Sequence, residues 1–138
     1  MAAKTGHEAV VEQLLADGFD HIFGNPGTSE EGLLDAIERR PELKYVLVLQ
    51  ESVAVLAADG YARATNRPTA VQIHSTPGLG NAIGTLANAR ATRTPLVITA
   101  GQQDRRHLIA EPFLSGDLVA MASPVTKWTA EVHHVGDL

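Results

Sequence analysis

Glu51 and His74 have the side chains best suited to moving protons in this sequence, and each stands at the end of an apolar run. Glu51 follows Tyr45 to Leu49 and leads into Ser52-Val53-Ala54-Val55-Leu56-Ala57-Ala58, so its carboxylate has few charged neighbours. A carboxyl group in such a setting is expected to hold its proton more tightly than usual, which suits proton exchange with a ligand nitrogen. Position alone favours a second reading, an acid in the first turn of a helix stabilised by the helix dipole. His74 ends the apolar run from Ala70 and is expected to face the same crevice as Glu51. Histidine is the side chain matched to acid and base work near neutral pH, although a strand-end histidine also serves as a structural hydrogen bonder.

The remaining candidates are weaker. Gly78-Leu79-Gly80-Asn81-Ala82-Ile83-Gly84 lies between a strand and a helix, where glycines can cradle a pyrophosphate, but its third glycine comes one residue too late for G-x-G-x-x-G. A tight turn with close helix-to-sheet packing is the expected role. Asn25-Pro26-Gly27-Thr28 reads as a turn on propensity. His7, His21 and His107 are isolated in sequence, and His133-His134 lacks the i, i+4 spacing of a helical metal pair. Surface or capping roles are expected for these five, and no metal site is expected within the chain.

The elements that must position these residues alternate between helical and strand periods. Ala9 to Asp17 reads as a helix stopped at Asp17-Gly18, and His21 to Phe23 as a short strand. Thr28-Ser29-Glu30-Glu31 has the form of a capping box with Thr28 as N-cap, opening a helix that Pro41 ends. Tyr45 to Leu49 reads as a strand covered on both faces, Ser52 to Ala64 as a helix, and Ala70 to His74 as the third strand. A helix over Asn81 to Arg90, a strand over Pro95 to Ala100 and a fifth strand over Val125 to Thr129 complete the series. Strands separated by helices imply a doubly wound parallel α/β sheet with right-handed connections. Ligands bind such sheets beyond the carboxyl ends of the strands, where all the unusual residues fall.

Composition narrows the function classes. The 138 residues suit one domain, with 44% hydrophobic and 20% charged content. Zero cysteines exclude disulfides, thiolate metal sites and a cysteine nucleophile. Eleven basic residues, scattered against 16 acidic ones, give a net charge of −5 and argue against nucleic-acid binding. No apolar run reaches the ~18 to 20 residues of a membrane span, and no signal segment is evident, so a soluble, cytoplasmic domain is expected.

Four motifs in one order carry a more specific likeness. Gly24-Asn25-Pro26-Gly27-Thr28-Ser29-Glu30, Leu49-Gln50-Glu51 with Ala58-Asp59-Gly60-Tyr61-Ala62, His74-Ser75 with Gly78-Leu79-Gly80-Asn81-Ala82, and Thr99-Ala100-Gly101-Gln102-Gln103 resemble the amino-terminal pyrimidine-binding domain of thiamine-diphosphate enzymes. Within that family the resemblance is strongest to the benzoylformate decarboxylases. It implies that Glu51 hydrogen-bonds the aminopyrimidine ring of thiamine diphosphate and promotes its imino tautomer, and that His74 handles protons on the substrate. It further implies cofactor contacts from Asn25, Pro26, Gly27 and Asn81, and a substrate carboxylate against Thr28, where the benzoylformate enzymes carry Ser.

The family holds its diphosphate and magnesium through a second domain with Gly-Asp-Gly and an Asn pair, and neither motif occurs here. The chain is therefore expected to be a fragment, or a separately encoded subunit, comprising most of one pyrimidine-binding domain and lacking its last helix and strand. The expected partners are a small 2-keto acid and the diphosphate-binding domain of another chain in a homo-oligomer. Decarboxylation is the expected reaction; acetolactate synthase-like carboligation and a non-catalytic nucleotide-binding module are the alternatives.

Overall fold

The computed structural model describes residues 4–138. Its core is a four-stranded parallel sheet of β1 (His21–Asn25), β2 (Lys44–Leu47), β3 (Thr69–Ile73) and β4 (Leu96–Ala100), in the order β2-β1-β3-β4. Helices α1 (Gly6–Ala16) and α2 (Glu31–Glu38) cover one face; α3 (Glu51–Thr65), α4 (Ser75–Thr92) and the short α5 (Leu118–Ala122) cover the other. The doubly wound α/β class read from the strand and helix alternation is thus the observed one.

Period-two alternation along the central strands builds two separate cores. Ile22 and Ala70 point toward Val11, Leu14, Leu33 and Ile37, whereas Phe23, Val71 and Ile73 point toward Ala54, Val55, Ala58, Leu79 and Leu86. The small residues on the inner faces of α3 and α4 let both helices lie close to the sheet. Chain direction across the sheet reverses between β1 and β3, since β1 is followed by β2 on one side and β3 by β4 on the other. That reversal opens a crevice at the carboxyl ends of β1 and β3.

Five local expectations are corrected. Val125 to Thr129 forms no strand: a 3-10 turn, Ser123–Val125, precedes it, and Val125 packs against the α3/α4 core instead of extending the sheet. Tyr45 to Leu49 is not covered on both faces, because β2 is an edge strand with Leu47 65% and Leu49 92% exposed. The capping box forms at Thr5 and Glu8 on α1, not at Thr28 and Glu31. At the start of α2 it is Glu30 that turns back, accepting from the Gly27 backbone N–H at 2.8 Å.

α4 begins at Ser75, six residues before the expected start, so Gly78, Gly80 and Gly84 lie inside a helix and form no turn. Close packing, the other half of that expectation, holds at Gly78, where a Cβ would lie 2.9 Å from Ile73 Cγ2 and 3.0 Å from Glu51 Oε1. His21, read as isolated, bonds Asp20 at 2.9 Å and packs on the Tyr61 ring at the end of the sheet opposite the crevice.

Two of the glycines in α4 give opposite predictions. Gly84 faces open space, so Gly84→Ala should stabilise the chain by about 0.5–1 kcal/mol through helix propensity. Gly78→Ala should destabilise it by about 1–3 kcal/mol despite the same propensity gain, because the methyl meets packed atoms. Urea denaturation midpoints of the two variants check both signs.

Candidate active site

The crevice at the β1/β3 reversal is built from three helix or turn beginnings. Gln50 caps α3, its side chain accepting from Ser52 N at 2.7 Å and Val53 N at 3.3 Å, which places Glu51 in the first helical turn. Glu51 is 5% exposed, and each of its oxygens has an amide partner: Asn25 Nδ2 donates to Oε1 and Asn81 Nδ2 to Oε2, both at 2.9 Å. Asn25 ends β1 and Asn81 lies in the second turn of α4, so the carboxylate ties together both sides of the crevice. The Ser52 hydroxyl donates to the Asn81 carbonyl at 2.5 Å and fixes that helix against α3.

These donors reverse one expectation. Burial pushes the proton affinity of Glu51 up, but the Asn81 amide, the residue's own backbone N–H, the Asn25 amide and the nearby His74 outweigh it. The net shift is downward, and the unliganded site holds a carboxylate. An apolar sequence context does not reveal amides contributed by residues 26 positions before and 30 positions after.

His74 is the N-cap of α4 and is 22% exposed at its side chain. Its Nδ1 lies 2.8 Å from Glu30 Oε2 and 3.2 Å from Ser29 Oγ, both in the 3-10 turn Thr28–Glu30 that precedes α2. The ring lies against Gly27, where a Cβ would overlap its Cε1 and both nitrogens. Gly27 has φ −125°, an ordinary extended value, so glycine is needed there for space alone.

The structure therefore brings Asn25, Gly27, Glu51, His74 and Asn81 together, with Pro26 partly buried in the connecting turn. Thr28 follows immediately with its side chain exposed at the rim. Glu30, 4% exposed, is the site residue that reading the sequence missed. Its signal was visible in the turn motif but was absorbed into an apparent helix cap. Among the described residues no group of three or more His, Asp or Glu could hold a metal ion.

The fold and this geometry define a doubly wound α/β domain whose crevice carries a carboxylate and an imidazole, each held by its own hydrogen-bond partners. Residues 4–121 match the family model described as the thiamine pyrophosphate enzyme, N-terminal TPP binding domain, and the chain belongs to that family. It is 42% identical over 93% of its length to a benzoylformate decarboxylase of Pseudomonas aeruginosa, and 36% identical over 98% to a mitochondrial acetolactate synthase of Schizosaccharomyces pombe. These matches span 24% and 20% of the respective relatives. A solved thiamine diphosphate-dependent 4-hydroxybenzoylformate decarboxylase of Rhodococcus jostii superposes with a TM-score of 0.88 at 38% identity, over 94% of this chain and 24% of that one.

The lowered proton affinity of Glu51 sets the sign of a pH effect. A carboxyl group whose folded pKa lies below its unfolded value stabilises the fold above that unfolded value, near 4.5, and the contribution is lost as pH falls through the folded pKa. Unfolding free energies measured between about pH 6 and pH 3 should fall less steeply for Glu51→Gln than for the wild-type chain.

Proposed function

We propose that this chain is the pyrimidine-binding part of a thiamine-diphosphate-dependent 2-keto acid decarboxylase of the benzoylformate decarboxylase type. The observation that carries the reading is the pairing, in one crevice, of a buried carboxylate held by two amides with an imidazole whose Nε2 has no partner among the described residues. Glu51 fits the pyrimidine end of the cofactor: it is buried at the rim, and Gly78 packs against it where a Cβ would lie 3.0 Å from its Oε1. When bound, thiamine diphosphate supplies the nucleophile and electron sink that this chain's side chains lack.

On this reading Glu51 exchanges a proton with a pyrimidine ring nitrogen, and Asn25 and Asn81 keep its carboxylate aimed. The Asn25-Pro26-Gly27 turn lies along the cofactor, and the Thr28 hydroxyl meets the substrate carboxylate. His74 presents Nε2 to the reacting carbon and supplies or removes the proton there. Magnesium and the diphosphate would be held by residues outside this chain. The exposed Leu49, just ahead of α3, and Val53 and Leu56 on that helix are the surface a diphosphate-binding domain of another chain in a homo-oligomer would cover.

A second reading, carboligation of the acetolactate synthase type, is favoured by the likeness to the Schizosaccharomyces pombe enzyme over nearly the whole chain. The two separate on product. The complete polypeptide carrying this domain, supplied with thiamine diphosphate, magnesium and benzoylformate or pyruvate, should release an aldehyde; an acetohydroxy acid as main product overturns the decarboxylase reading. In the same protein His74→Ala should lose about 10²- to 10⁴-fold in kcat with cofactor still bound. Glu51→Gln should slow exchange of the thiazolium proton by orders of magnitude with folding nearly unchanged, and wild-type exchange would remove Glu51 from this role.

A further inference from the structure

We infer that Glu30 is the positioning residue of His74, that Gly101 is the slot admitting its carboxylate, and that together they lock the neutral imidazole with its proton on Nδ1. The inference rests on the reading above only in assigning proton transfer to His74; the lock itself is a property of the chain without cofactor or substrate.

The argument is an accounting of donors around one nitrogen. Nδ1 has two neighbours within hydrogen-bond distance, Glu30 Oε2 at 2.8 Å and Ser29 Oγ at 3.2 Å. The carboxylate has no proton to give. Ser29 has one, but its hydroxyl donates to Glu30 Oε1 at 2.6 Å, leaving only lone pairs toward the ring. Gly27 N–H donates to Glu30 Oε2 at 2.8 Å and is also committed. Every group facing Nδ1 is thus an acceptor, so Nδ1 must carry the proton and the neutral ring has its lone pair on Nε2. Nε2 has no hydrogen-bond partner among the described residues, and the ring plane is fixed by contact with Gly27.

The same accounting excludes a serine nucleophile. In a Ser-His-acid triad the hydroxyl and the carboxylate engage opposite ring nitrogens. Here both engage Nδ1, so Ser29 braces the carboxylate and is not activated for attack.

Gly101 supplies the wall behind Glu30. It follows β4 directly, and its N–H donates to the Ile73 carbonyl at 3.3 Å, one residue before His74. A Cβ at Gly101 would overlap Glu30 Oε1 and Ser29 Oγ and lie 3.0 Å from Ser29 Cβ. A side chain there must displace Glu30 Oε1 and Ser29 Oγ, and turning the carboxylate is expected to draw its Oε2 off Nδ1. The other titratable groups within electrostatic reach are Glu51, whose carboxylate feels His74, and Tyr45, which feels Glu30 and whose hydroxyl donates to Gln72 Oε1.

The test reads the tautomer directly. Long-range 1H–15N correlation spectra of the histidine rings in the 138-residue chain, at a pH where His74 is neutral, should show a protonated Nδ1 and bare Nε2. Glu30→Gln and Gly101→Ala should each shift His74 toward the opposite tautomer or a mixture. Adding Ser29→Ala to Gly101→Ala should restore the Nδ1 proton, because the vacated hydroxyl volume lets Glu30 Oε1 swing clear of the methyl. A wild-type ring protonated on Nε2 overturns the inference, as does a Gly101→Ala spectrum identical to wild type. The wild-type and Gly101→Ala spectra decide the matter even where Glu30→Gln fails to fold.

In the complete enzyme, Glu30→Gln should lower kcat by about 10²- to 10⁴-fold, by analogy with the wrong-tautomer loss at a triad aspartate, with KM changed less than about threefold. A loss carried by KM at unchanged kcat overturns the positioning role. Spectra as expected together with an acetohydroxy acid product leave this inference standing and overturn only the decarboxylase reading.

Discussion

A carboxylate removed from water must be surrounded by donors, and this domain buries two of them within one crevice, Glu30 and Glu51. Much of the surrounding architecture follows from meeting that requirement. Glu51 draws its donors from the end of β1 and the second turn of α4; Glu30 draws its own from Gly27, Ser29 and His74. The side chains that satisfy the two charges come from segments far apart in sequence. Only a sheet that reverses its winding between β1 and β3 brings those segments to one place.

The remainder of the fold keeps that crevice rigid. The Ala-rich faces of α3 and α4 let two helices sit on the sheet directly beneath Glu51 and His74, and α4 packs closely enough that Gly78 touches both Ile73 and Glu51. The opposite face is closed by larger side chains from α1 and α2 around Ile22 and Ala70, which anchors the turn leading from β1 into Glu30. Two cores of different texture therefore support the two halves of the site.

Much of this was legible in the sequence, because hydrophobic period and local turn chemistry are local signals. The strand and helix alternation, the helix stop at Asp17-Gly18 and the convergence of Asn25, Glu51 and His74 on one rim all follow from neighbours within a few residues. What stayed hidden depends on distant partners. The proton affinity of Glu51 had the wrong expected sign because Asn25 and Asn81 are remote in sequence. Pro77, Gly78 and Gly80 suggested a turn, yet tertiary packing carries a helix through them, since a proline in the first turn and a glycine against the sheet both suit that position. Glu30 stood inside a stretch read as a capping box between Thr28 and Glu31; nothing local shows that its carboxylate turns back to Gly27 and holds an imidazole 44 residues away.

The segment from Asn25 to Glu30 touches both Glu51 and His74 at once: its first residue bonds Glu51, and its later residues hold His74 by backbone contact, hydroxyl and carboxylate. Among the described residues no other segment makes hydrogen bonds to both side chains. A displacement of this one short turn therefore disturbs the hydrogen bonds of Glu51 and His74 in a single movement, although one side chain opens α3 and the other caps α4. A side-chain change at Asn25 or Glu30 reaches one group at a time, whereas a change in the backbone path of the turn reaches both.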